Sequence, residues 1–408
     1  MNQYNSPSDI AILGMGTALP AHPVAQSDIA ELIASSLQDR PDLARFARRI
    51  FKSCGVETRY TVEPSYLGSL EECRYLPSGE RSDIPTTEER MNTYKREALP
   101  LGIEAAEKAL EDSGVSPKSI THIITVSCTG QYLPGLDVML IRHLGLSARV
   151  NRLPLIFQGC AAGLKAIQMA RDVVQGAPGS QVLVVCVELC TIHFQPVQDR
   201  EALFAASFFG DAASSCVVGT PEPQHKNVLS LGTGYSVLLP DSTEDMTWEV
   251  GNLGYDLYLS PRIPKLLGVH LEEELRLLLQ SEQLPELWAI HPGGRGIVDS
   301  VQNVMKLRDE QTKYSRDVLR TYGNLSSNTI LFVLNAMRED MKAQGQSSTD
   351  GVAMAFGPGL TAELMKFTYV HSLSSVMEEH DHVLFRTLSI RAKEDELMDD
   401  FSLGGGAA

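Results

Sequence analysis

Three side chains suited to acyl chemistry each stand beside glycine in this chain: Cys160, His291 and Asn324. Cys160 lies in Phe157-Gln158-Gly159-Cys160-Ala161-Ala162-Gly163-Leu164, after an extended run from Arg152 and before a helical pattern in which Leu164, Ile167, Gln168 and Arg171 share a face. A strand-to-helix turn of this kind aims one side chain, and the unpaired N–H groups of a helix start favour thiolate, lowering a cysteine below its usual pKa of about 8.5. Core packing of a buried cysteine explains the same stretch equally well. His291 ends an apolar run before Pro292-Gly293-Gly294, where it is a strand cap or a base. Asn324 follows Gly323 and reads as a helix N-cap or an amide donor.

Spacing connects the three. Ser127-Cys128-Thr129-Gly130 and His291-Pro292-Gly293-Gly294 both close strands, and Gly159-Cys160 and Gly323-Asn324 both open helical patterns, each pair being 164 residues apart. A duplicated fold follows, with Cys160 and Asn324 at equivalent positions and His291 at the end of a strand equivalent to the one ending near Ser127. A nucleophile with a histidine and an amide donor suits acyl transfer through a thioester. Cys186, Cys190 and His193 are also close in sequence, but Cys186 sits in an apolar run and no fourth ligand follows, so no zinc site is expected. The chain carries neither a Walker loop nor a dinucleotide fingerprint, which argues against nucleotide hydrolysis and hydride transfer.

These residues need elements to hold them. Alternating patterns predict strands at His122–Ser127, Gln181–Glu188, Ala212–Val218, Val228–Gly232, Leu287–Ile290, Val352–Phe356 and Met365–His371. Helices are expected at Lys95–Ser113, Cys160–Gln175, Ile263–Gln280, Ile297–Met305 and Asn324–Lys342, and a strand-like piece at Asp256–Leu259. Residues 61–95, rich in proline and charge, read as a long surface excursion. Such alternation implies a layered α/β architecture with both faces of the sheet covered. At 408 residues the chain exceeds one ordinary core, which suits two halves.

Composition narrows the partners. Hydrophobic residues at 43% and charged residues at 21% describe a soluble globular protein. The formal net charge of -16 opposes a nucleic-acid partner, so an anionic ligand must meet a local basic patch. Arg45, Arg48, Arg49 and Lys52 are spaced i, i+3, i+4, i+7 and share one helix face, as a phosphate landing site or as ordinary solvated charge. Apolar runs such as Val182–Val187 are too short to cross a bilayer, and the first residues show no secretory pattern. Seven cysteines without close pairing fit a reducing cytoplasm.

Five motifs in order resemble the type III polyketide synthases, the chalcone-synthase-like branch of the thiolase superfamily. They are FQGCAAG at 157–163, FFGDAA at 208–213, WAIHPGG at 288–294, YGNLSS at 322–327 and FGPGLTAE at 356–363. The resemblance spans roughly residues 10–371 and implies a thiolase-like αβαβα fold with duplicated halves, 1–225 and 226–372, and a homodimer. It implies coenzyme A thioesters as substrates and no cofactor. Cys160 would take the starter acyl group, held as thiolate by His291, and His291 with Asn324 would stabilise the enolate formed as malonyl-CoA loses carbon dioxide. Repetition and cyclisation would give a pyrone, resorcinol or phloroglucinol-type product. A single-round ketoacyl synthase and a Cys-His-Asn thiol hydrolase are the alternatives, and a scaffold that kept the fold without catalysis is a third.

The resemblance also assigns the cavity. Phe209 matches the gatekeeping phenylalanine, Leu257 replaces a second one, and Phe356 with Gly357 shapes the wall, with Ser326 beside Asn324. At the coenzyme A entrance only Arg49 matches the plant set, since Phe46 and Ser53 stand where lysines are usual; the stripe with Arg45, Arg48 and Lys52 is expected to compensate. Cys128, Cys190 and His193 replace cavity threonines in the manner of a bacterial-type member, and Trp248 replaces a glycine, which should shorten one branch of the cavity. Residues 373–408 read as a mobile acidic extension.

Overall fold

The computed structural model describes residues 10–76, 83–195, 199–281 and 283–372. The expected acidic extension, 373–408, lies outside the described residues. Nine strands form one sheet in the order Leu287–Ile290, Ser348–Gly357, Thr361–Ser372, Lys226–Leu238, Ala11–Ala18, Asp211–Gly219, Val182–Leu189, His122–Ser127, Asn151–Ile156. From the central antiparallel pair Ala11–Ala18 and Lys226–Leu238, each half runs outward through two antiparallel contacts and then a parallel one, and the first half adds a second parallel contact at Asn151–Ile156. Each half therefore places its first strand next to its last, the topological form of the 164-residue repeat.

Buried side chains divide into three layers. Helix Thr87–Ser113 covers the outer face of the first half, with Ala98, Ala105, Ala106 and Ala109 against Leu13, Leu183, Val185 and Val217. Helices Ala162–Gly176 and Thr329–Ala343 share a central core, in which Leu164, Ile167 and Ala170 meet Ile330, Leu331 and Leu334 between strands of both halves. Helices Ile263–Leu279 and Arg295–Met305 cover the outer face of the second half around Trp288, Val352 and Met354. This is a mixed α/β layered fold of the thiolase type. Among the described residues no helix is long and apolar enough to cross a membrane.

Close contact between the two central helices decides where the site forms. A Cβ on Gly163 would lie 2.1 Å from the Ser327 carbonyl oxygen, so only glycine lets the two helix starts touch. Gly159, at φ +58, is pressed by Pro358, whose Cδ would be 2.4 Å from an added Cβ. The Phe356 loop thus closes over the turn that carries Cys160.

Several expectations need correction. Residues 61–76 are not a surface excursion, because Tyr66, Cys73, Tyr75 and Leu76 are buried with Tyr94 in the first-half core. The helix expected from Lys95 begins at Thr87, where Thr86 and Glu89 make a capping box. A strand at Met246–Gly251 and a helix at Asp309–Tyr322 were not anticipated; the strand pairs with Gly254–Leu259 in a two-stranded ribbon. The last central helix begins at Thr329 rather than Asn324, after a single tight turn at Ser326–Asn328.

Candidate active site

Cys160 and Asn324 meet because their helices meet. Cys160 sits in the turn Gly159–Ala161, before the helix that starts at Ala162. Its Sγ is 4.0 Å from Asn324 Oδ1 and from Nδ2, and 3.8 Å from Ser326 Oγ. Asn324 is anchored through its backbone, its N–H donating to Phe208 O at 2.9 Å and its carbonyl accepting from Gly210 N at 3.0 Å. Its amide orientation is set by neighbours. Ser326 N and Thr329 Oγ1 donate to Oδ1 at 2.9 and 3.3 Å, while Nδ2 donates to Gly293 O at 3.2 Å. Gly293 takes one of the two Nδ2 protons, and the second is left for a ligand.

His291 follows strand Leu287–Ile290, with its backbone N–H donating to Met354 O at 2.8 Å. The residue is buried, and neither ring nitrogen has a hydrogen-bond partner. Cys160, His291 and Asn324 line one apolar cavity of about 350 Å³, with Phe204, Phe208, Phe209, Met246, Trp248, Leu257 and Phe356 among its walls. A second cavity of about 280 Å³ shares Phe209, Trp248 and Leu257 with the first and is lined by Cys190, His193 and Tyr255. Trp248 and Leu257 are direct cross-strand partners in the ribbon, so this pair and Phe209 form the partition.

Burial governs the titration of the site. It pushes the Cys160 thiol up to about 12, against the lowering effect of Ser326 and Asn324, and pushes His291 down to about 3. The expected acidic thiol at a helix terminus is therefore not what the unliganded cavity favours, because Cys160 precedes the helix and lies in an apolar enclosure. Both partners are driven toward their neutral forms, thiol and imidazole.

Other expected residues divide. Phe209, Trp248, Leu257 and Phe356 line the first cavity, and Cys190 and His193 the second. His193 is fixed: Tyr255 N donates to Nδ1 at 3.1 Å, so the proton is on Nε2, which donates to Thr129 O at 2.6 Å. It stacks on Tyr255 at 4.3 Å. Cys128, Ser326 and Gly357 line neither cavity. Cys128 Sγ is 3.1 Å from Ser326 Oγ below Cys160, and Gly357 packs against Gln158 and Ala161. The indole nitrogen of Trp248 is buried without a partner.

The cationic stripe on helix Pro41–Ser53 needs revision. Arg48 makes a two-pronged salt bridge to Glu31, at 2.8 and 2.9 Å, on the exposed side of the helix. Ile50 and Ser53 of the same helix line the first cavity, so the stripe does lie beside it. Lys52 is exposed.

Two groups escaped the sequence reading. Glu188, buried in strand Val182–Leu189, accepts from Cys128 N at 3.0 Å, Thr129 Oγ1 at 2.6 Å and Ser327 Oγ at 2.5 Å, and ties both halves together under Cys160. A glutamate in the otherwise apolar run VLVVCVEL was the available signal. Arg59 is fully buried and donates to the carbonyls of Ala206, Ser207 and Phe209, holding the Phe209 turn.

A cysteine, an imidazole and an oriented amide in a dry cavity are equipped for thioester exchange and carbanion stabilisation. Comparison with known proteins decides the family. The sequence pattern of the N-terminal domain of chalcone and stilbene synthases matches residues 2–223, and that of the C-terminal domain matches residues 231–372. The chain belongs to the chalcone and stilbene synthase family of type III polyketide synthases. The family's enzymes are condensing acyltransferases that use coenzyme A thioesters, and this chain is one of them.

Relatives come from plants, an amoeba and an alga. The chain is 32% identical over 363 residues to type III polyketide synthase 21 of rice, covering 87% of this chain and 92% of that protein. Identity to type III polyketide synthase C of Arabidopsis thaliana is 30%, covering 86% and 93%. It is 28% identical to probable polyketide synthase 1 of Dictyostelium discoideum, of which it spans 11%. Among solved structures, the C-terminal type III domain of Steely1, a type I/III hybrid from Dictyostelium, superposes with a TM-score of 0.80 at 27% identity over 88% of this chain and 99% of that one.

Proposed function

We propose that the enzyme builds a polyketide iteratively on Cys160 from an acyl-CoA starter and malonyl-CoA. As the starter thioester enters, His291 takes the Cys160 proton, the sulfur attacks the acyl carbon, and coenzyme A leaves as a thiol after recovering that proton. Malonyl-CoA then places its thioester oxygen between His291 and the free Asn324 proton. The bond to the carboxylate breaks, carbon dioxide departs, and the enolate oxygen is held by both donors, each contributing about 3–4 kcal/mol. The enolate carbon attacks the Cys160 thioester and releases the thiolate, leaving the lengthened chain on coenzyme A. The thiolate then attacks that thioester and expels coenzyme A, which leaves as the thiol with a proton from solvent. The apolar wall protects the thioester from water.

The observation that carries this reading is the convergence of Cys160, His291 and Asn324 on one apolar cavity. Cyclisation gives a pyrone, resorcinol or phloroglucinol-type product in the space bounded by Trp248, Leu257 and Phe209. Cys190 and His193, which line the second cavity, support the bacterial-type reading of that space. The halves 1–225 and 226–372 supply the nucleophile and the two donors respectively. A homodimer is supported by the open edge strand Asn151–Ile156, beside which Leu133, Ile156 and Phe157 are exposed. Mass spectrometry of products from malonyl-CoA with a series of acyl-CoA starters tests the reading: two or more condensations are expected, and a single condensation with every starter overturns iteration.

A further inference from the structure

Two helices beside the catalytic cavity each bring an arginine to the same aromatic ring. Arg49, on helix Pro41–Ser53, places its guanidinium carbon 5.2 Å from the centre of the Phe46 ring. Arg200, the first residue of helix Arg200–Ala206, places its own 5.3 Å from the same centre. Both helices are walls of the cavity: Ile50 directly follows Arg49 and lines it, as does Phe204, one turn beyond Arg200. Among the described residues neither arginine makes an ion pair, although the chain carries sixteen more acidic than basic groups. Arg48 contrasts with them, since it is paired with Glu31.

Two like charges sharing one aromatic ring repel, and the ring's attraction for each is only about 0.5–1 kcal/mol at an exposed site. An anion between them reverses the sign of the arrangement. Guanidinium forks match phosphate oxygens in a two-pronged manner, which a point charge does not. Phe46 is half-buried, and its ring is the surface that both guanidinium groups approach.

Resting on the proposed use of coenzyme A thioesters, we infer that Arg200 and Arg49 form a two-helix clamp for the phosphate groups of the carrier, with Phe46 as its platform. Arg200 thus supplies from a second helix the charge that Phe46 and Ser53 do not. Arg48, paired with Glu31, stands outside the clamp. The clamp reads the nucleotide end of the substrate and leaves the reacting end untouched, making Arg200 a specificity-determining residue rather than a catalytic one.

The test separates the phosphates from the thioester arm. Calorimetric dissociation constants are measured for coenzyme A and for pantetheine, which lacks the phosphates, with wild type, Arg200→Glu, Arg200→Lys and Arg48→Glu. In parallel, KM and kcat are measured for malonyl-CoA and for the malonyl thioester of N-acetylcysteamine. Arg200→Glu is expected to weaken coenzyme A binding tenfold or more and raise KM for malonyl-CoA equally. Pantetheine affinity, the N-acetylcysteamine reaction and kcat should stay within twofold, Arg200→Lys should recover part of the loss, and Arg48→Glu should change coenzyme A binding less than threefold. Unchanged coenzyme A affinity in Arg200→Glu overturns the clamp, as does an equal loss for pantetheine, which would mark a structural role. Binding of coenzyme A needs no turnover, so failure of the polyketide reading shows separately, as absence of product from both thioesters with wild type.

Discussion

Replacing Asn324 with aspartate tests the amide geometry most sharply. Of the four bonding directions of the wild-type side chain three are fixed: Oδ1 accepts from Ser326 N and Thr329 Oγ1, and one Nδ2 proton goes to Gly293 O. Aspartate keeps the acceptor for Ser326 and Thr329, so the turn after Asn324 retains its bonds. Its other oxygen faces the Gly293 carbonyl, and in this buried place the acid holds its proton there, leaving no donor for substrate. Loss of one oxyanion donor costs about 2.7–4 kcal/mol, or roughly 100–1000-fold in rate. Malonyl-CoA decarboxylation, followed as acetyl-CoA release, should fall by that factor. Loading of Cys160 from an acyl-CoA starter, followed by intact mass at short times, should fall less than about fivefold, because loading relies on the Cys160–His291 proton transfer. Equal losses in both steps would refute the division of labour, and so would a decarboxylation rate within tenfold of wild type.

Three further outcomes follow from the same geometry. Trp248→Ala should join the cavities of about 350 and 280 Å³ and shift products toward more malonyl units; an unchanged mass profile would remove Trp248 as the partition. His291→Ala should slow iodoacetamide alkylation of Cys160 at pH 7 at least tenfold, since burial leaves the thiol protonated without a base; equal rates would take His291 out of that role. Stability should fall as pH drops below about 6.5. His193 and His291 are both held near 3 by burial while their unfolded forms titrate near 6.5, so the unfolded chain binds more protons across that window, at about 1.4 kcal/mol per pH unit for each histidine. Asp211, pushed up to about 6 by burial, opposes them between about pH 4 and 6. Denaturant melts of His193→Gln between pH 5 and 6.5 should show a shallower pH slope than wild type, and an equal slope contradicts the assignment.

Much of the site was legible because its chemistry is bound to glycine. Gly159, Gly163 and Gly293 mark the places where turns press on other segments, and the 164-residue spacing of the two helix starts follows from a repeated strand order. What stayed hidden depends on contacts between elements. The i, i+3, i+4, i+7 rule places Arg48 on a helix face but cannot show that Glu31 of a neighbouring helix claims it, nor that Arg200 reaches the Phe46 ring. The ribbon Met246–Gly251 has no clean alternation, because its inner side chains face a cavity instead of a packed core. The apolar enclosure of Cys160 among Phe208, Phe209, Leu257 and Phe356, which opposes an acidic thiol, likewise depends on segments far apart in the chain.

The central claim is that Cys160 carries the growing chain. Intact mass spectrometry with peptide mapping, after brief incubation with an acyl-CoA starter, measures this directly. One acyl adduct per chain on the Cys160 peptide is expected, growing by two-carbon ketide increments when malonyl-CoA is added, and none in Cys160→Ala. An adduct on another cysteine, or polyketide formation by Cys160→Ala at the wild-type rate, would contradict the account.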